Sequence, residues 1–267
     1  MRNTELIVGT RKWTSPPLDI DFNVKFDTDS IPNEAECTIY NLSQDSINNI
    51  NRGSNITVNA GYGGDVGTIL NGVVTDVETD KSGLDIATKI KSLNVTGQYL
   101  NRWIHKVYKA GTTAEFIIKD LFMIIGIKPN QLSLQENVVY KRGFNAIGKI
   151  KDVVNTIVRQ CKSRLIIRNT AIIITTKNNG IDEGFLLNKK TGLINVEVLD
   201  KSDSVATHSV EMLLNHAINP YTILKIESSK LNGMVLVISG EHSSNFTTKC
   251  EVRVLWTMLL IFLTIYP

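Results

Sequence analysis

The sequence has 267 residues, which fits one large domain or two smaller ones. Hydrophobic residues make up 42% of the chain and charged residues 21%, a globular composition that excludes intrinsically disordered and collagen-like chains. The net charge of +3 is uneven, because residues 101–180 carry 14 Lys and Arg against 4 Asp and Glu, residues 1–100 carry 8 against 13, and residues 181–267 carry 7 against 9. A basic middle between two acidic flanks predicts three regions.

The first hundred residues predict a series of short β-strands. Residues 18–26 alternate apolar and polar side chains, which is the period of a half-buried strand. Ser43 is placed to cap a short helix that ends before Gly53. A later strand is followed by glycines whose freedom at positive φ predicts a turn: Gly61, Gly63 and Gly64. Many short strands with turn signals indicate an antiparallel barrel or sandwich.

The basic middle changes to helical periodicity. Thr112 and Thr113 can cap a helix that ends at Gly126. A second helix is predicted from about Ala146 to Cys161, and a β-hairpin over residues 164–176 follows it.

The last third returns to alternating strands and ends in an apolar segment. From Val254 to Pro267 the chain has 14 residues without a charge, fewer than the about 18–20 that a membrane-spanning helix needs. Three interpretations of this segment remain open: a buried strand or helix, a surface that docks onto a partner, and a membrane anchor. The buried strand or helix is favoured. A segment foreign to the native reading frame also remains open.

Motifs for catalysis or metal binding are missing from the sequence. It has no GxSxG, HExxH or P-loop pattern, and no His has a Cys or His partner at ligand spacing. The three cysteines are far apart, which predicts free thiols and a protein made in a reducing cytoplasm: Cys37, Cys161 and Cys250. We therefore expect no enzyme activity, no cofactor and no metal, and the start of the sequence shows no export signal.

Two stretches resemble the tail hub proteins of bacteriophages and phage-tail-like particles, the broad group of late control protein D and the base of VgrG spikes. Both consist of strand-and-turn patterns, and the similarity extends over about residues 5–253. The first stretch comprises 37–43, 56–64 and 69–74, and the second comprises 213–220, 226–233 and 237–243. In these patterns Gly72 is a bulge or a close backbone approach, Pro220 shapes a corner and Gly233 turns a hairpin. Similar families often have Pro-Gly where this chain has Pro220 and Tyr221.

The resemblance implies a mainly β fold with an α/β insert, in which two related antiparallel β-barrel domains flank a small two-helix plus hairpin domain. The implied units are an N-terminal barrel, the basic insert and a second barrel: 1–100, 101–180 and 181–255. The apolar tail 256–267 is a fourth segment without a counterpart in the resemblance. It also implies a homotrimer that joins the tail tube protein to the central spike protein, beside other baseplate or tail-tip proteins. Such a protein lies in the virion tail, has no membrane anchor and meets nucleic acid only as it passes through the channel.

Two other functions remain open beside the structural hub. One is a tail-associated cell-wall hydrolase whose carboxylates have no recognisable spacing. The other is a module that binds an anionic polymer through the basic insert. The candidate partner-facing basic surface is Lys149, Lys151, Arg159 and Lys162. The turn glycines could equally be ordinary residues of any β-barrel.

Overall fold

The computed structural model describes residues 1–28, 33–82, 84–94, 100–168, 171–176, 180–200 and 205–255. The apolar tail 256–267, for which the sequence leaves several roles open, lies outside the described residues. Within them the chain is mainly β, as predicted, with short helices in the first two regions only.

The strands and helices follow one another in three groups. The N-terminal flank contains β1 Arg2–Val8, β2 Arg11–Ser15, β3 Ile20–Phe26, β4 Glu34–Tyr40, α1 Gln44–Asn48, β5 Asn55–Tyr62, β6 Asp65–Ser82 and β7 Asp85–Asn94. The insert contains β8 Trp103–Tyr108, β9 Thr112–Thr113, α2 Ala114–Ile124, β10 Gln131–Leu132, β11 Val139–Tyr140, β12 Phe144–Lys149, α3 Ile150–Gln160, β13 Ser163–Ile167 and β14 Ile172–Thr176. The C-terminal flank contains β15 Ile181–Leu187, β16 Leu193–Val198, β17 His208–Leu213, β18 Thr222–Glu227, β19 Asn232–Ser243 and β20 Thr247–Val254.

The strands of both flanks form one 13-stranded sheet. Its order is β16-β17-β20-β19-β3-β4-β7-β6-β5-β1-β2, with β18 beside β19 and β15 beside β18. The two flanks join where β3 pairs antiparallel with the last residues of β19, Gly240 opposite Phe26 and Ser243 opposite Asn23. Over the described residues this path is open at both ends, so two separate closed barrels are not confirmed.

Three hydrophobic cores lie under these strands and helices. The first fills the N-terminal flank, the second the insert and the third the C-terminal flank. Each flank also contributes side chains to the core of the other. Leu214 and Phe246 of the C-terminal flank pack in the N-terminal core, and Phe26 of the N-terminal flank packs in the C-terminal core. Each flank therefore buries its own apolar face, while a few side chains bind the flanks to each other.

Local signals explain most of the elements. β3 alternates buried and exposed side chains along Ile20–Phe26, as its sequence period predicts. Ser43 caps α1 through its side chain, which accepts from the Ser46 N–H. Thr113 caps α2 by accepting from the Phe116 N–H.

The predicted start of the second insert helix at Ala146 is wrong. Residues 144–149 form β12, which pairs along its whole length with β8, and the helix starts only at Ile150. Gly148 has a φ of +127°, which no residue of an α-helix adopts. Long-range pairing therefore overrides the helical spacing of apolar residues over this stretch.

Candidate functional site

The described residues offer no cluster of side chains for binding a metal ion. No group of three or more His, Cys, Asp or Glu in the described ranges could hold a metal ion. Burial raises the pKa of Cys37 to about 12 and also raises that of Cys250, so both thiols stay protonated at neutral pH. No helix among the described residues is long and apolar enough to cross a membrane.

His242 lies fully buried in β19. Its Nδ1 is 2.9 Å from the Thr248 hydroxyl, and its ring lies 4.9 Å from that of Phe26. Burial lowers the pKa of His242 to about 3, which keeps the imidazole neutral at physiological pH. This histidine is therefore part of the core where the flanks meet and is not available to a ligand.

The glycines of the first stretch that resembles tail hub proteins lie in different structural environments. Gly63, with a φ of +59°, lies in the turn between β5 and β6. Gly61 lies in β5, where an added Cβ would be 1.9 Å from the Asp65 carbonyl oxygen. Gly72 lies in β6, where an added Cβ would be 2.7 Å from the Leu93 carbonyl oxygen. A Cβ at Gly64 would meet nothing within 4 Å.

In the second stretch the strained position is Tyr221. It follows Pro220 with a φ of +65°, in the left-handed region that favours glycine. The hairpin between β18 and β19 turns at residues 228–231, where the Ser228 N–H donates to the Leu231 carbonyl. Gly233, predicted to turn this hairpin, lies in β19 just beyond the turn, with a φ of +144°.

The four predicted basic residues do not form one continuous surface. Lys149 is exposed at the end of β12, and Lys162 pairs with Glu136. Lys151 is 6% exposed, so it does not lie on the outer face of its helix as a solvated cation. Lys151 and Arg159 meet in the lining of one cavity between the insert and the flanks.

This cavity has a volume of about 290 Å³ and a mostly polar lining. Its walls come from the end of β3, from α3 and β13 of the insert and from the corner before β18: Asp27, Thr28, Lys151, Asn155, Arg159, Ser163, Arg164, Leu165, Ile167 and Tyr221. Arg164 stacks on the ring of Tyr221 with its guanidinium carbon 4.7 Å from the ring centroid. Among the described lining residues, Lys151, Arg159 and Arg164 bring basic side chains of the insert together beside Asp27.

A second contact ties the insert to the C-terminal flank. Arg168 is buried and its Nη1 donates to a Glu183 carboxylate oxygen at 2.9 Å. Its Nη2 donates to the Thr222 hydroxyl at 3.2 Å. Together with the stacking of Arg164 on Tyr221, this pair fixes the orientation of β13 against β15 and β18.

Aromatic and polar side chains also cross the junction of the two flanks. The Tyr62 hydroxyl donates to the Phe246 carbonyl at 2.7 Å, and the two rings pack edge to face. The His216 ring covers Gly67, where an added Cβ would be 2.2 Å from Nδ1, and its Nε2 lies 3.0 Å from Asp65. These contacts make the flanks one body around the β3–β19 pairing.

Three strands of the sheet have a neighbour on one side only. β2 pairs with β1, β15 with β18 and β16 with β17, in each case without a further partner in the described part of the chain. Each of these strands therefore has one edge without a strand partner among the described residues, which is the kind of edge that pairs with another chain.

Sequence reasoning missed Arg164, Arg168 and Tyr221, the residues that hold the insert against the C-terminal flank. The available signal was the departure from Pro-Gly at Pro220 and Tyr221. A bulky residue at a position that favours glycine indicates that contacts of its side chain offset the backbone strain.

Neither the family models nor the curated proteins contain a match to this sequence. Among solved structures, a tail protein from Neisseria meningitidis aligns with a TM-score of 0.67 and 7% identity, over 94% of this chain and 96% of its own. A 43 kDa tail protein of prophage MuSo2 from Shewanella oneidensis aligns with a TM-score of 0.68 and 10% identity, over 94% and 98%. A type VI secretion component of E. coli, described as similar to T4 tail proteins, aligns with a TM-score of 0.62 and 12% identity, over 94% and 77%.

The similarity extends over nearly the whole chain, so it includes the insert as well as both flanks. At these identities it is a similarity of fold. The chain therefore has the fold of phage tail proteins and of related type VI secretion components.

Proposed function

We propose that this protein is a structural tail hub, which forms a trimeric ring between the tail tube and the central spike of a phage or phage-tail-like particle. The observation that carries the proposal is the fold shared with tail proteins along 94% of the chain. The two strand-rich flanks, each with its own core, support it further.

In this proposal residues 1–100 and 181–255 each act as one barrel-like unit, with residues 101–180 as an insert between them. Three chains would then supply six similar units around a central channel, which matches a six-fold tube to a three-fold spike. The open edges β2, β15 and β16 would pair with neighbouring chains and complete the ring.

The function proposed is mechanical and non-enzymatic. Its partners would be two further copies of the chain, the tube protein, the spike protein and other baseplate or tail-tip proteins. The protein would be made in the bacterial cytoplasm and reside in the virion tail. The buried, protonated thiols and the neutral buried histidine agree with a structural role.

Light scattering and electron microscopy of the purified full chain test the proposal. We expect a particle of about three times the 29.7 kDa chain mass, ring-shaped with a central hole, and no hydrolysis of peptidoglycan. A stable monomer at high micromolar concentration, or a monomer that cleaves cell wall, would contradict it.

The basic cavity favours one second candidate, a module that binds an anionic polymer. Arg159 and Arg164 line the cavity from the insert. If this function holds, Arg159→Glu abolishes retention on heparin, whereas Lys128→Glu, an exposed charge reversal in the same insert, leaves most of it. Equal loss in both variants would indicate only a general charge effect.

A further inference from the structure

The insert exposes one face of a two-stranded ribbon. β8 and β12 pair antiparallel, so Trp103 lies opposite Lys149, His105 opposite Ile147 and Val107 opposite Asn145. Because side chains alternate along a strand, these six share one face of the ribbon. All six are exposed. The other face of the ribbon contributes Ile104, Tyr108 and Ala146 to the insert core, so burial alternates along both strands.

Three of the six side chains on this ribbon face are large and apolar, and none is a carboxylate. Trp103 is 68% exposed, Val107 71% and Ile147 52%, which places three large apolar side chains together on a surface. Asp120, the carboxylate next to β8, is engaged on the inner side by Lys106 and Tyr108. The ends of the ribbon carry further exposed cations: Arg102, Lys109, Lys141 and Arg142.

The opposite pattern occurs at the tip of the hairpin between β6 and β7. Leu84 is 99% exposed at this tip, where Ser82 pairs with Asp85. Asp85 follows Leu84 in the chain, and the charges of Asp21, Asp19 and Asp85, with Asp21 the largest, raise the pKa of Tyr40, which pairs with Ala87 of the same hairpin. With Asp80 and the single cation Lys81, the tip has an excess of negative charge around one apolar side chain.

We propose that the hairpin tip of one copy docks on the ribbon face of a second copy, with Leu84 against Trp103 and Ile147. The carboxylates around the tip would face Lys149 and the cations at the ribbon ends. This inference rests on the proposed hub and names the surfaces by which its copies meet.

Charge and shape both favour a second copy as the occupant. The insert carries 14 basic against 4 acidic residues and the N-terminal flank 8 against 13, so each chain brings both halves of a complementary pair. Two different surfaces of the same chain make a head-to-tail contact, which is the kind that closes into rings. A duplex nucleic acid would match the cations through its phosphates but would leave Val107 and Ile147 without an apolar partner.

Cross-linking of introduced cysteines tests which surfaces meet. The native cysteines are buried, so a short bismaleimide reacts with introduced thiols. We expect the Leu84→Cys/Ile147→Cys variant to give covalent dimers and larger species on a denaturing gel, and either single variant to give monomers. Leu84→Cys/Met123→Cys is the control, because Met123 is 71% exposed on α2, outside the ribbon. No covalent oligomer, or an equal yield in the control, overturns the contact.

A substitution on the ribbon gives an independent measurement. We expect Trp103→Lys to raise the dissociation constant of the oligomer at least about tenfold, because a buried Trp is among the strongest contributors to an interface. Met123→Lys, an exposed apolar residue on α2 outside the ribbon, should change it less than about threefold.

The outcomes separate this contact from the hub itself. A wild-type oligomer that Trp103→Lys leaves intact overturns the contact and spares the hub. A wild-type chain that stays monomeric overturns both.

Discussion

Tyr221 offers a direct test of how the insert is held against the C-terminal flank. Its φ of +65° costs a non-glycine residue about 1–2 kcal/mol. Its ring stacks under Arg164 at 4.7 Å, and such a contact contributes about 0.5–1 kcal/mol at a partly exposed site. Tyr221→Ala removes the stacking and keeps the backbone strain, whereas Tyr221→Gly removes both.

The two variants should therefore differ in a defined direction. We expect Tyr221→Ala to lower the free energy of unfolding by about 1 kcal/mol, through loss of the stacking and of ring packing. Tyr221→Gly should stay within about 0.5 kcal/mol of wild type, because relief of strain exceeds the roughly 0.5–1 kcal/mol entropic cost of glycine. Urea denaturation of the three proteins provides the measurement.

A double-mutant cycle isolates the stacking. Arg164→Ala should cost about 0.5–1 kcal/mol less in the Tyr221→Ala background than in wild type. If Tyr221→Ala is as stable as Tyr221→Gly, the strain argument is refuted. If Arg164→Ala costs the same in both backgrounds, the ring contributes nothing to holding the insert.

Three further predictions concern the flanks. Burial lowers the pKa of His242 to about 3 in the folded protein, so as the pH falls the unfolded chain binds a proton at this histidine first. The contribution of the neutral His242 to the free energy of unfolding is complete above pH 6.5 and should decline below pH 6.5 by about 1.4 kcal/mol per pH unit. Unfolding measured from pH 7 to pH 4.5 should show this slope in wild type and less of it in His242→Gln. Gly67→Ala should destabilise by about 1–3 kcal/mol through collision with the His216 ring, and His216→Ala should recover part of the loss in thermal unfolding. Gly61→Ala should lower the free energy of unfolding at least as much, because the added Cβ would collide with the backbone at Asp65, whereas Gly64→Ala should be near neutral. Equal losses of stability in the two variants would refute the close approach at Gly61.

The resemblance to tail hub proteins and the shared fold agree on the order of the chain. Within the described residues, strands predominate over 2–94 and 181–254 and the two longer helices lie between them, while the division into three domains stays a prediction. The trimer, the spike and the tube stay proposals, because a fold shared at 7–12% identity carries no partner with it.

Signals that act within a few residues were readable from the sequence alone. The side-chain caps of Ser43 and Thr113 and the alternation of Ile20–Phe26 depend on neighbours in the chain, so the sequence predicts them correctly. The charge pattern likewise separates the insert from the flanks, because each forms around its own apolar core.

Pairing between distant segments decided the rest. Residues 146–149 have helical spacing, yet they form a strand because β8 supplies the partner for their backbone hydrogen bonds. Lys151 has the sequence position of a solvated helix residue, yet packing of the insert against the flanks buries it. β3 and β19 join the two flanks by pairing residues that are more than 200 positions apart. No local pattern in either strand encodes which distant strand it pairs with. The sequence alone thus determined the capped helix starts, the alternating strand and the charge pattern. The tertiary structure determined the strand at 146–149, which faces are covered and which remain free to meet another chain.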